Sequence, residues 1–148
     1  MFVSVTSDRS RARRYVIQAL YEWQVSGNAP KDIEQQFLIE HHSRQFDRAY
    51  FNELLRGVTE EVDVLDNHIS PLSVRPFNEV DLVEKAILRL GCYELLHRLD
   101  IPYRVVINEA IELTKTFGAD EAHRFINGTM DKLAENLRAV EVAAKKGS

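Results

Sequence analysis

Residues 79–98 read EVDLVEKAILRLGCYELLHR, and this stretch decides the fold. Val80, Leu82, Val83, Ala86, Ile87, Leu88, Leu90, Cys92, Tyr93, Leu95 and Leu96 are apolar nearly all round a helix. They leave a charged strip at Asp81, Glu84, Lys85 and Arg89. A helix apolar on most of its circumference is buried in the middle of a fold, so the other helices must pack around it.

Working outward, the periodicity stays helical. From Asp8 or Ser10 to Ser26, the residues Ala12, Val16, Ala19, Leu20 and Trp23 form one apolar face, and Gly27, Asn28 and Pro30 end it. A shorter helix follows Pro30, with Ile33, Phe37 and Leu38, and His41 to Gln45 read as a loop or a fraying end. A third helix is expected from about Asp47 to Ser70 on the stripe Tyr50, Phe51, Leu54, Leu55, Val58, Val62, Leu65 and Ile69. Gly57 lies inside that stripe at a cost of about 1 kcal/mol relative to alanine, which suggests close packing on a neighbour.

Beyond Pro102, Val106, Ala110, Leu113 and Phe117 give a helix over about 105–117, with Gly118 just past its end. Asp120 is the expected N-cap of the next helix, which turns Ala122, Phe125, Ile126, Met130, Leu133 and Leu137 inward. The tail from about Val140, including Lys145, Lys146, Gly147 and Ser148, is expected to fray. No segment alternates with period two, so the expected class is all-α with almost no sheet. At 148 residues and 45% hydrophobic composition, one domain over 1–148, ordered over about 8–140, is the expected organisation.

Several chemistries are excluded. The six glycines do not cluster, so no P-loop or dinucleotide fingerprint forms. No serine lies in a nucleophile-elbow context, and the single cysteine, Cys92, sits in an apolar run. His41 and His42 are neighbours that point about 100° apart on a helix, while His68, His97 and His123 are scattered. The pairs Glu60/Glu61 and Asp120/Glu121 could serve as general acid and base, but read better as solvated helix charges or partners of a helix N-terminal dipole. The chain is therefore expected to be no enzyme and to hold no metal or cofactor. A lone thiol, with no signal-peptide pattern and no apolar run near the roughly 20 residues that span a bilayer, reads as cytoplasmic.

Charge is unevenly placed. The formal net charge is −4, yet Arg9, Arg11, Arg13 and Arg14 fall within six residues. From Glu53 to Glu84, eight acids face only Arg56 and Arg75. Arg11, Arg14, Gln18, Tyr21 and Val25 share one helical face, Arg9 and Arg13 an adjacent strip, and both are expected to point away from the core. The planar arginine fork suits bidentate phosphate contacts and stacks on bases. A solvated helix start is the competing reading, weakened because cations at a helix N-terminus oppose the macrodipole.

Three blocks carry a family resemblance: RSRARRYVIQALYEWQVSG at 9–27, VEKAILRLGCYELLHRLDIPYRVVINEAIELTKTFGA at 83–119 and HRFINGTMDKLA at 123–134. Through them the chain resembles the NusB family of transcription antitermination proteins. The resemblance implies an all-α fold of two small three-helix bundles packed into one compact domain. It implies binding of the boxA element in leader transcripts of ribosomal RNA operons, as a heterodimer with the ribosomal protein NusE, within the RNA polymerase antitermination complex. Some members of the family self-associate, so a homodimer is a further expectation of the resemblance.

By the same resemblance, Arg9, Arg11, Arg13 and Arg14 match an arginine-rich RNA-binding motif, with Ser10 standing where arginine is commoner. Phe117, Gly118, Glu121, Arg124, Phe125 and Asn127 match a second RNA-facing region. Phe125 is equally readable as a base-stacking residue and as a core residue on a helical stripe. Tyr21, Val25 and Glu84 match positions on the NusE-facing surface. The rivals are a protein–protein interaction module whose arginines bind an acidic partner, the related domain of RNA methyltransferases, for which no S-adenosylmethionine motif is present, and a small hydrolase.

Overall fold

The structure, a computed structural model, describes residues 3–146; Gly147 and Ser148 of the expected frayed tail lie outside them. Eight α-helices and two short 3-10 turns make up the described residues, with no strand among them. Contacts divide the chain into two compact units that meet in sequence between Glu61 and Val62.

The first unit is a three-helix bundle of α1 (Val3–Ser26), α2 (Pro30–Glu40) and α3 (Arg48–Glu60), each packed on the other two. Helix α1 starts earlier than its apolar pattern predicts. It ends at Gly27, whose φ of 73° is the left-handed conformation that glycine adopts without a Cβ penalty. Pro30 opens α2, where its missing N–H costs nothing. Asp47 caps α3 by accepting the Tyr50 N–H at 2.9 Å. Arg56 on α3 donates from Nε and Nη2 to both oxygens of the buried Glu34 on α2, at 2.8 and 2.7 Å.

The long third helix expected over 47–70 is in fact two, α3 and α4 (Val62–Ile69), with Glu61 at φ −107° and ψ 19° between them. Thr59 donates its hydroxyl to the Leu55 and Arg56 carbonyls at 2.8 and 3.1 Å, a back-bonding arrangement that bends helices. The apolar stripe passes in phase through the break, so periodicity does not reveal it.

In the second unit, 3-10 turns at Ser70–Leu72 and Phe77–Glu79 lead from α4 to α5 (Leu82–His97). Helices α5, α6 (Tyr103–Phe117) and α7 (Ala122–Leu137) pack on one another, α4 packs on α5, and α8 (Ala139–Lys146) packs on α7. As its composition requires, α5 is central, with Ala86, Ile87, Leu88, Leu90, Cys92 and Leu95 buried. Its charged strip is not all solvated. Arg89 donates from Nε and Nη2 to both oxygens of Asp66 on α4, each at 2.8 Å. Asp81 caps α5 by accepting from the Val83 and Glu84 N–H groups. Gly91 admits the close approach suggested for Gly57: a Cβ there would lie 2.5 Å from Met130 Cε on α7.

Two terminal expectations are corrected. Glu121, not Asp120, occupies the N-cap of α7, and it makes no side-chain cap bond. The tail does not fray at Val140 but forms α8, because its neighbourhood supplies partners that α5 and α6 lack. Arg138, buried, donates to the carbonyls of Glu94, Leu95, Arg98 and Ile101 and to Glu141 Oε1, closing the C-terminal end of α5. Glu141 accepts the N–H of Tyr103 at the start of α6. Pro102 precedes that helix and has no side chain able to cap it.

Candidate nucleic-acid interface

Helix α1 carries the arginine motif, and the structure sorts its four members. Arg11 is exposed and donates to the Gln45 carbonyl at 3.0 Å. Arg14 is half-buried with no ion pair among the described residues. Arg9 is half-buried, 3.9 Å from Asp47, and lies over the Tyr50 ring at 5.0 Å. Arg13 is only 3% exposed, with its guanidinium 5.4 Å from the Tyr50 ring centre. The expectation that the Arg9–Arg13 strip points away from the core is therefore corrected. Tyr50 projects from α3 toward α1 and draws both cations onto its face.

The loop after α2 is tied to this arginine face. Asp47 donates its N–H to the Asp8 carbonyl at 3.1 Å, and Gln45 donates its amide to Asp8 Oδ2 at 3.0 Å. Arg48 gathers the carbonyls of His41, His42 and Arg44 with one guanidinium nitrogen. The result is a braced surface that carries Arg11 and Arg14, neither of them in an ion pair among the described residues. Farther along α1, Tyr21 and Val25 are exposed.

The second unit contains a groove of about 580 Å³ lined by Val74, Arg75, Glu121, His123, Arg124, Phe125, Gly128, Thr129 and Lys132. It joins three of the sequence-derived positions, Glu121, Arg124 and Phe125, to residues not singled out for this role. Arg124 and Lys132, on α7, have no ion pair among the described residues, so two uncompensated cations face one acid, Glu121. Gly118 lines a smaller adjoining recess of about 140 Å³ with Thr114, Lys115, Ala119, Asp120 and His123. Phe117 is half-buried, and Asn127 is exposed; neither lines these recesses.

Phe125 is a core residue, 7% exposed, and one face of its ring is covered by the Arg75 guanidinium at 4.2 Å. Arg75 also donates to Glu84 Oε1 at 3.2 Å. Glu84, matched by resemblance to a partner-facing surface, is 5% exposed rather than part of a solvated strip. Burial pushes its carboxyl above the usual range, further than the nearby Arg75 pulls it down. Sequence reasoning counted Arg75 only as a stray cation among acids. Nothing in periodicity links a residue between two 3-10 turns to a ring on α7.

An all-helical protein with a braced arginine face and a cationic groove has the makings of a nucleic-acid-binding factor. The chain belongs to the NusB family, whose model matches residues 10–135. Its relatives include the transcription antitermination protein NusB of Alcanivorax borkumensis, 50% identical over 97% of this chain and 95% of that one. The protein of the same name from Shewanella piezotolerans is 55% identical over 89% and 98%.

Among solved structures, NusB of T. maritima is 34% identical, with a TM-score of 0.75 over 86% of this chain and 90% of that one. A crystal structure of antitermination factors NusB and NusE in complex with dsRNA has a TM-score of 0.78 over 86% and 96%, and at 22% identity it shows likeness of fold alone. Membership makes the chain a non-enzymatic factor, as the sequence led us to expect. No helix among the described residues is long and apolar enough to cross a membrane.

Proposed function

We propose that the chain is a transcription antitermination factor that binds boxA RNA in ribosomal RNA operon leaders, together with NusE, in the cytoplasm. The observation that carries this reading is the placement of cations that form no ion pair among the described residues: Arg11 and Arg14 on α1, and Arg124, with the neighbouring Lys132, along the groove. Arginines supply salt-dependent phosphate contacts, while exposed single-stranded bases supply sequence choice through stacking and edge hydrogen bonds. A protein of net charge −4 binds RNA weakly by itself, so a basic partner that also touches RNA adds affinity and register. Tyr21 and Val25 are the exposed residues we assign to the NusE contact. The complex then joins the RNA polymerase antitermination assembly.

The test is a binding titration with a boxA-like RNA and a scrambled control, with and without NusE. Selective binding strengthened by NusE is expected. Equal binding to both RNAs, or none, returns the arginine face to the competing reading, a module that binds an acidic protein partner.

A further inference from the structure

We infer that Arg75, rather than Phe125, is the groove residue on which an RNA base stacks, with Phe125 and Glu84 acting as its supports; this rests on the RNA-binding reading above. Phe125 belongs to the family-matched RNA-facing segment, yet its ring is nearly all buried. The guanidinium over that ring closes the face that a base would otherwise meet.

Arg75 itself is open: 47% of its side chain is exposed, and it lines the groove beside Arg124. A guanidinium is a planar cation with two faces, and stacking on an aromatic ring uses only one of them. Because Arg75 lines the groove, the other face is assigned to a ligand there. Bases stack on arginine planes as well as on aromatic rings, so the Phe125–Arg75 pair makes a planar stacking surface that runs from the core to the solvent.

Two further contacts make this platform preorganised. Glu84 holds the Arg75 Nη1 at 3.2 Å from a buried position, and the Ser73 hydroxyl donates to the Arg75 carbonyl at 2.6 Å, bracing the turn that carries it. An arginine kept solely for phosphate attraction needs no ring beneath it and no buried carboxylate beside it. The pairing also lowers the net charge that Arg75 offers to phosphate. A planar cation held in this way is suited to a flat base.

The experiment compares the parent protein with Arg75→Lys and Arg75→Ala, each with NusE, for binding of boxA-like and scrambled single-stranded RNA over a range of salt. Circular dichroism and thermal melting check the fold. Arg75→Ala is expected to weaken boxA binding about ten-fold, the typical effect of losing one stacked base. Arg75→Lys keeps the charge but not the plane. It is expected to lose about as much affinity and to narrow the preference over scrambled RNA, with an unchanged salt slope. Should Arg75→Ala fail to fold, Arg75→Lys carries the decision. Parent-like affinity and preference in Arg75→Lys would overturn the inference and leave the RNA-binding reading standing. A parent protein that does not distinguish the two RNAs overturns both.

Discussion

Glu141 and Tyr103 are joined across the second unit: Glu141 Oε2 accepts the Tyr103 N–H at 2.9 Å, so α8 caps α6. Burial raises the Glu141 carboxyl, but this bond and the Arg138 guanidinium outweigh it and hold the group below its usual range. A carboxylate whose pKa is depressed by folding adds stability above its unfolded pKa, and that stability is lost as pH falls through the folded value. Glu141→Gln is therefore expected to cost about 1 kcal/mol at neutral pH, as for a lost helix cap. The difference from the parent should shrink on acidification below the ordinary carboxylate range. Chemical denaturation at several pH values measures this.

Glu84 should behave in the opposite sense. Its pKa is raised by burial, so the folded state takes up a proton before the unfolded one does. Relative to Glu84→Gln, the parent gains stability as pH falls through the folded pKa of this group, and that gain is lost as pH rises through it. The same denaturation series, run on both proteins, reports the sign.

Arg138→Ala is expected to lower stability by about 3 kcal/mol or more, because several inward carbonyls and Glu141 lose their common donor. Lysine at the same position should recover little, since one ammonium cannot match the spread of the guanidinium fork. Thermal unfolding of the two variants provides the comparison.

The arginine motif should divide in function. Arg11→Ala combined with Arg14→Ala is expected to weaken RNA binding with little change in the melting temperature. Arg13→Ala is expected to destabilise the first unit by about 2 kcal/mol, since its side chain is buried against Tyr50. With Arg13 withdrawn, at most three arginines of the motif meet phosphates, and their share of the salt slope is about −2 for single-stranded RNA. Titrations over salt concentration, paired with melting curves, test both statements.

What the sequence made legible followed from periodicity. The central place of α5, the inner faces of α6 and α7, and the glycine that ends α1 are all written in the spacing of apolar residues or in backbone chemistry. The break at Glu61 was not legible, because Val58, Val62 and Leu65 stay in phase across it. Helix α8 was missed because it forms for its partners: Arg138 and Glu141 serve groups far away in sequence, which no local window contains. At the candidate site, α1 spacing correctly placed Arg11, Tyr21 and Val25 outside, but it assigned Arg13 to solvent because the Tyr50 ring comes from another helix. Arg75 was invisible for the same reason: its meaning depends on Phe125 and Glu84.

The closure of α5 by Arg138 also bears on the order in which the protein can be built. A ribosome releases the chain from its N-terminal end, and units tend to fold as they emerge. The first unit has all its helices once Glu60 has been made. The second must hold the open carbonyls of α5 and the uncapped start of α6 until Arg138 and Glu141 arrive. During synthesis the arginine-bearing half is thus complete while the groove-bearing half still waits for its keystone.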